Sequence, residues 1–188
     1  PYRFDIVDVQ RQMMTNLGQL VHKKAAEAFV AKDKAAFTLH SRRFLELLSD
    51  MDELLYTRSE YSFDKWLTEA RSWGETKEEK DLMERDATSL VTIWGADGDP
   101  RIFDYSWREW AGLINGYYLP RWQKFYTMLQ GHLDAGTDYQ EEGLPLAYGR
   151  EDFRANDFYN QLADWELAYV VQTDKARIPV TRGDELVI

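Results

Sequence analysis

Apolar positions near the start of the chain recur with the period of an α-helix. Val7, Met14, Val21 and Ala28 follow one another at intervals of seven residues, a spacing that keeps side chains on one face of a helix. Four further apolar residues lie beside them and widen the face: Met13, Leu17, Leu20 and Phe29. The pattern predicts one long amphipathic helix over about residues 4–31.

A second helix is predicted to follow after a very short break. Asp33 is a suitable N-cap residue, and apolar side chains then recur at helical spacing as far as about residue 56: Phe37, Phe44, Leu47, Leu48, Met51, Leu54 and Leu55. Because only Lys32-Asp33 separates the two periodic segments, the sequence predicts an antiparallel helical hairpin.

Cap signals divide the next segment into two shorter helices. Ser62 is placed to cap a helix with an apolar face made of Phe63, Trp66, Leu67, Ala70 and Trp73, and Gly74 follows as a C-terminal stop. Thr76 and Glu79 then form the three-residue spacing of a capping box. This box predicts a fourth helix that ends near Leu90.

The second half of the chain contains longer breaks. The Gly and Pro residues within residues 92–100 predict a loop there. Asp104 is placed to cap a fifth helix that runs through Trp107 to Tyr118. Pro120 begins or kinks the next helical segment, which continues to Leu133. Residues 135–150 read as a loop.

A final helix is predicted over about residues 151–171, and no segment has a convincing strand pattern. The fold class is therefore all-α: an array of about seven helices with no significant sheet, forming a single all-helical domain over residues 1–188. The apolar end Leu186-Val187-Ile188 follows a turn-like Arg182-Gly183-Asp184. It resembles the first turn of a cut helix, so we expect the C-terminal end to be truncated.

Composition excludes several classes of function. The 33 acidic and 23 basic residues give a net charge of −10, which disfavours nucleic acid as a partner because phosphate contacts need clustered Lys and Arg. No apolar run approaches the roughly 18 residues of a membrane span. The chain has no Cys, so thiolate metal sites and a Cys nucleophile are excluded.

Few residues are candidates for chemistry. His22, His40 and His132 are scattered and fit no metal-binding spacing, so no metal or cofactor is expected and no residue is assigned a catalytic role. Aromatic residues make up 14% of the chain and include seven Trp. Trp94 differs from the others because it lies in a predicted loop beside Gly95. It either offers a flat apolar platform for a sugar ring or folds back onto the helix ends.

Four stretches resemble the C-terminal helical region of α-N-acetylglucosaminidases, glycoside hydrolase family 89. They occur in the family's order: Ile93-Trp94-Gly95, Ile102-Phe103-Asp104-Tyr105, Ala111-Gly112-Leu113 and Tyr117-Tyr118-Leu119-Pro120-Arg121-Trp122. Arg182-Gly183-Asp184 also matches the family's pattern ahead of a last helix. The resemblance covers nearly the whole chain.

The resemblance implies a function for the chain as part of a larger enzyme. In the family, a (β/α)8 barrel carries the two catalytic carboxylates and the helical region packs on that barrel. Carried over, Trp94, Ile102 and Tyr105 would line the pocket for a terminal α-linked N-acetylglucosamine of glycans. The parent enzyme would be exo-acting and would cleave with retention, whereas this chain alone is expected to be inactive.

Two readings of function remain open from the sequence. The first is the C-terminal domain of an α-N-acetylglucosaminidase, which the resemblance implies to be secreted, periplasmic or lysosomal. The second is a helical protein-interaction module unrelated to carbohydrate chemistry, with its Trp residues in the core or on a partner-binding surface. The first reading predicts that the sequence upstream of Pro1 encodes a barrel with paired acids. A sugar-wall role for Trp94 predicts that it is exposed in the fragment, whereas a purely structural role predicts that it is buried.

Overall fold

The computed structural model describes residues 2–94, 106–139, 144–145, 151–152 and 157–175. These residues contain six α-helices in the order α1 (Tyr2–Val30), α2 (Lys34–Leu55), α3 (Phe63–Arg71), α4 (Lys77–Leu90), α5 (Leu119–Ala135) and α6 (Asp157–Val171). A short 3-10 helix (Ser59–Tyr61) precedes α3, and a π-helical segment (Ile114–Tyr118) leads into α5. The all-α fold class is confirmed, and the predicted number of helices is close.

The described residues divide into two compact units. The first contains α1, α2, the 3-10 helix and residues Glu109–Asp138, and the second contains α3, α4 and α6. That residues 1–188 form a single domain stays a prediction. The terminal residues 186–188, on which the expected truncation rests, lie outside the described residues.

Helices α1 and α2 form the predicted hairpin, and this hairpin makes up most of the first unit. The Asp33 carboxylate accepts a hydrogen bond from the backbone N–H of Ala36 at 3.0 Å and caps α2. Apolar residues from both helices join residues 111 and 114 in one buried cluster: Val7, Met51, Leu54, Leu55, Ala111 and Ile114. Burial of these side chains supplies the main stabilisation of the unit.

Only part of the apolar pattern of α1 faces this core. Val7, Gly18, Ala25 and Ala28 are buried. Met13, Leu17 and Leu20, which the sequence places beside the buried face, are instead exposed. A periodic pattern therefore identified the helix correctly and assigned too wide a face to its core.

The predicted fifth helix over residues 104–118 is wrong for its described first part. Residues 107–110 are not helical, and Ala111 pairs as an isolated parallel bridge with Ser62. The Ala111 N–H donates to the Tyr61 carbonyl at 2.8 Å, and the Ala111 carbonyl accepts from Phe63 N–H at 3.1 Å. These tertiary backbone bonds replace the local bonds that a helix would have made.

Helical structure begins at residue 113, where a side chain of α2 caps it. The buried Asp52 carboxylate of α2 accepts hydrogen bonds from the N–H groups of Gly112 at 2.8 Å and Asn115 at 3.0 Å. It thereby satisfies donors that a helix N-terminus leaves without intrahelical partners. Leu119 N–H bonds to the Ile114 carbonyl, five residues back, and Pro120 has no N–H to donate in the first turn of α5.

The second unit contains the predicted capping box at the start of α4. Thr76 Oγ1 accepts from Glu79 N–H at 3.2 Å, and Glu79 Oε2 accepts from Thr76 N–H at 3.1 Å. The N–H of Glu75 reaches the same carboxylate at 2.8 Å. These bonds lower the pKa of Glu79, chiefly through the backbone N–H of Thr76.

The final helix begins later than predicted. Instead of starting at residue 151, α6 begins at Asp157. Glu151–Asp152 form strand β2, which pairs antiparallel with strand β1, Leu144–Pro145. These two-residue strands are the only sheet within the described ranges, so the prediction of no significant sheet holds.

Candidate functional site

Trp94 lies in the turn that follows α4, as the sequence predicts. Its backbone N–H donates to the Ser89 carbonyl at 2.7 Å, which holds the turn against the last turn of the helix. The backbone φ of Trp94 is 58°, in the left-handed region. Only glycine adopts this region without steric cost, and a bulky side chain there is a true outlier.

The indole of Trp94 is half-buried rather than open. This degree of burial meets neither sequence-based expectation, since the pocket-lining role predicted notable exposure and the structural role predicted full burial. Ile102 and Tyr105, the other two predicted pocket residues, lie outside the described residues. Their predicted role in the sugar pocket stays a prediction.

Side-chain hydrogen bonds hold the C-terminal half of α4 and the turn that follows it. Thr88 and Thr92 are buried, and their hydroxyls donate to the carbonyls four residues earlier, Thr88 to Glu84 at 2.8 Å and Thr92 to Thr88 at 2.7 Å. The indole N–H of Trp66 on α3 donates to the Ala87 carbonyl at 2.9 Å. Trp94 therefore follows a helix end whose backbone is hydrogen-bonded to neighbouring side chains.

A buried carboxylate on α4 is bound from several directions. Glu84 has no exposed surface, and its Oε2 accepts from the Arg71 guanidinium at 2.6 Å and from Asp174 N–H at 3.2 Å. Its Oε1 accepts from Lys175 N–H at 2.6 Å. Both oxygens are occupied by structural donors, so Glu84 serves to join α3, α4 and the residues after α6 rather than to transfer protons.

Lys175 completes this buried cluster. Its ammonium lies 3.9 Å from Glu84 and donates to the carbonyls of Tyr169, at 3.2 Å, and Gln172. Burial lowers the pKa of Lys175, and the charge of Glu84 opposes that shift. No sequence motif marks this pairing, because the partners are 91 residues apart in the chain.

The first unit holds a second charged network. Asp8 Oδ1 accepts from the Tyr61 hydroxyl at 2.8 Å and from Arg11, and Arg11 also donates to Glu109. The pKa of Asp8 is lowered by the Tyr61 and Arg11 hydrogen bonds, whereas burial and the Asp8 bond raise the pKa of Tyr61 to about 12. The Thr15 hydroxyl donates to the second Glu109 oxygen at 2.8 Å. Since the acids are bound by fixed donors, the network anchors residue 109 to α1.

Two Trp residues that the sequence places in predicted helices are exposed. Trp73 follows the end of α3 and is 84% exposed, and Trp107 lies in the non-helical segment and is 52% exposed. Within the described ranges, no cluster of three metal-ligating side chains occurs, and no helix has the length and apolarity to cross a bilayer.

Comparison with known proteins identifies relatives along the whole chain. Residues 1–187 match the family model described as alpha-N-acetylglucosaminidase (NAGLU) C-terminal domain. Human alpha-N-acetylglucosaminidase is 32% identical over 186 residues, which are 97% of this chain and 22% of that protein.

Solved structures give the same result. A family 89 glycoside hydrolase from Clostridium perfringens, in complex with PUGNAc, superposes with a TM-score of 0.79 at 28% identity. The match covers 98% of this chain and 20% of that one. Another structure from the same organism, in complex with its substrate GlcNAc-alpha-1,4-galactose, matches equally well. The chain thus spans about a fifth of the length of the relatives it matches.

Proposed function

From a chain that belongs to the family of alpha-N-acetylglucosaminidase C-terminal domains, we propose that its parent protein is an exo-acting α-N-acetylglucosaminidase. The observation that carries the proposal is the 32% identity to the human enzyme over 97% of this chain. The parent would release a terminal α-linked N-acetylglucosamine with retention, using two carboxylates outside this chain. The rival reading of an unrelated interaction module has no comparable support.

The role proposed for this chain is to contribute a wall of the sugar cleft through the turn after α4. Trp94, Ile102 and Tyr105 are the residues assigned to that wall. The strained φ of Trp94 supports the role, because strained backbone tends to be kept where a side chain must be aimed for function. The hydrogen-bonded end of α4 supplies the rigid base that such a residue needs.

Two substitutions at Trp94 test this role in the complete enzyme. Trp94→Ala and Trp94→Gly both remove the indole, which should weaken transition-state binding by about 1–3 kcal/mol. Both should therefore lower kcat/KM for a chromogenic α-N-acetylglucosaminide by roughly ten- to a hundredfold. Trp94→Gly should also unfold with a free energy about 1–2 kcal/mol higher than Trp94→Ala, since glycine relieves the left-handed strain.

Trp73→Ala is the matched control, because Trp73 is an exposed Trp at the end of a different helix of the same unit. It should leave kcat/KM unchanged. Loss of stability in both Trp94 variants with kcat/KM retained would reject the cleft-wall role. Absence of any α-N-acetylglucosaminidase activity in the unsubstituted complete protein would reject the parent activity itself.

A further inference from the structure

Asn115 is followed by Gly116 in the helical segment that leads into α5. The chain contains four Asn residues, and Asn115 alone precedes a glycine. In such a pair the backbone nitrogen of the glycine can attack the side-chain carbonyl carbon of the Asn, because glycine has no Cβ to hinder the approach. The sequence therefore contains one pair with the chemistry for rapid deamidation.

Deamidation replaces the amide group of Asn115 with a carboxyl group. The Gly116 nitrogen forms a bond to Asn115 Cγ, and the proton of that nitrogen leaves with the side-chain NH2 group as ammonia. Water then opens the cyclic imide. Attack of water at Cγ gives Asp, whereas attack at the backbone carbonyl carbon gives isoaspartate, in which the main chain runs through the former side chain.

The folded chain holds the reacting groups in an arrangement that opposes this reaction. The attacking nitrogen is engaged, because Gly116 N–H donates to the Gly112 carbonyl at 2.9 Å. Asn115 lies within the helical segment Ile114–Tyr118, and closure of the imide requires rotation of the backbone out of the helical conformation. The side chain is also fixed, since Asn115 Nδ2 donates to Asp52 Oδ2 at 3.0 Å.

Asp52 requires an amide rather than an acid at residue 115. Its side chain is buried, and its Oδ1 accepts from the N–H groups of Gly112 and Asn115. An ionised carboxylate accepts hydrogen bonds and donates none, so the Asn115 amide faces Asp52 with its NH2 group. A carboxylate at residue 115 would place two negative charges side by side at a buried site, which is unfavourable.

We propose that Asn115 is a site of irreversible modification: the closed segment protects it, opening of the segment allows deamidation, and the product no longer fits beside Asp52. The Asp product meets Asp52 as a second carboxylate. The isoaspartate product adds an atom to the main chain and shifts the helical hydrogen bonds that begin at Gly112. Each opening of residues 112–118 then carries a chance of permanent damage, which sets a lifetime for the folded protein.

Peptide mapping of the complete protein by mass spectrometry tests the protection. Samples are incubated in mildly alkaline buffer with and without a denaturing concentration of urea, and the peptide that contains Asn115 is analysed for deamidation and isoaspartate. The reaction should be roughly tenfold or more slower in the folded protein, because it must wait for local opening. Equal rates with and without urea would overturn the proposal.

The unfolded samples contain two controls for the chemistry. In urea, Asn115 should react faster than Asn16, because Asn16 precedes the bulky Leu17. Gly116→Ala should slow the reaction of Asn115 in urea, since the added Cβ hinders the attacking nitrogen. An Asn115 that reacts no faster than Asn16 in urea would contradict the assignment of Asn115 as the reactive residue.

A variant that carries the product tests whether the segment can close again. In the complete protein, Asn115→Asp should accelerate hydrogen–deuterium exchange of the peptide over residues 111–119 by roughly tenfold or more, because Asp52 loses a donor and faces a second carboxylate. Adding Asp52→Asn should restore slow exchange, since the pair again consists of one amide and one acid. Asn16→Asp is the matched control, because Asn16 is exposed on α1, and it should leave the exchange of this peptide unchanged.

The outcomes decide the inference without reference to enzyme activity, so it stands or falls separately from the proposed function. Unchanged exchange in Asn115→Asp would show that residue 115 accepts an acid, and would overturn the irreversible step. An Asn115→Asp variant that fails to fold, with a double variant that folds, supports the incompatibility with Asp52. If neither variant folds, the rates of deamidation with and without urea still decide.

Discussion

At the scale of single residues, His22 shows how tertiary contacts change an ordinary side chain. Its Nδ1 lies 2.8 Å from the Tyr126 hydroxyl, and its ring contacts Trp122 edge-on at 4.9 Å between centroids. The centroid of the Phe44 ring lies 5.7 Å from that of the His22 ring. Burial in this aromatic group lowers the pKa of His22 below its ordinary value of 6.5.

The lowered pKa of His22 predicts a pH dependence of stability. The unfolded chain binds a proton at His22 more readily than the folded chain, so stability is complete above pH 6.5 and falls as the pH drops from there toward the folded pKa. His22→Phe should flatten this change, because no titrating group remains at the position. The measurement is the difference in the urea midpoint of unfolding between pH 7.5 and 5.5.

Tyr126→Phe is the control for that experiment. It removes the hydrogen bond to His22 and keeps the aromatic packing that desolvates the imidazole. Since burial is the cause of the shift, the pH dependence should persist in Tyr126→Phe. A pH dependence equally large in His22→Phe would show that other groups are responsible.

At the scale of elements, glycine acts through close approach at the start of α4. Gly74 does not have a positive φ, so it is not the left-handed cap that its position after α3 suggests. A Cβ at residue 74 would lie 2.6 Å from the backbone N of Lys80 and 2.8 Å from the backbone C of Glu79. Backbone atoms of a capped helix cannot give way, so only glycine fits at residue 74.

Opposite effects are therefore expected from two Gly→Ala substitutions. Gly74→Ala should reduce the free energy of unfolding by about 1–3 kcal/mol through the forced contact with α4. Gly131→Ala, inside α5 with open space around the new Cβ, should raise it by about 0.5–1 kcal/mol. Chemical denaturation of both variants measures the difference, and a stable Gly74→Ala would contradict the approach of Gly74 to α4.

At the scale of the whole molecule, buried and half-buried charged residues connect different segments within each unit. Glu84 is held by Arg71 and by the backbone of residues 174–175, and Asp8 is held by Tyr61 and Arg11. Both oxygens of Glu84 and Oδ1 of Asp8 accept from fixed donors, which fits a structural role. We expect the catalytic acids of the parent enzyme to lie outside this chain.

That expectation gives a prediction for the isolated chain. It should not hydrolyse a chromogenic α-N-acetylglucosaminide above background, because correct positioning of a sugar cannot replace the missing nucleophile. The complete protein should turn the same substrate over. Turnover by the purified fragment, abolished by substitution of one of its own acids, would place the reaction within these 188 residues.

The sequence by itself determined the features that depend on local order. Helical periodicity and cap residues predicted α1, α2 and α4 with nearly the observed ends, since each cap bonds to backbone within three residues. The motifs around Trp94 and Pro120 led to the family that the comparisons confirm.

Only the tertiary structure decided features that depend on distant partners. Ala111 pairs with the backbone of Ser62, about 50 residues away, and residues 107–110 do not form the predicted helix. Helical structure begins instead at residue 113, where the Asp52 carboxylate of α2 accepts from the N–H groups of Gly112 and Asn115. The division of the apolar residues of α1 into a buried set and an exposed set also came from packing, because periodicity shows which residues share a side of the helix and not which side is covered.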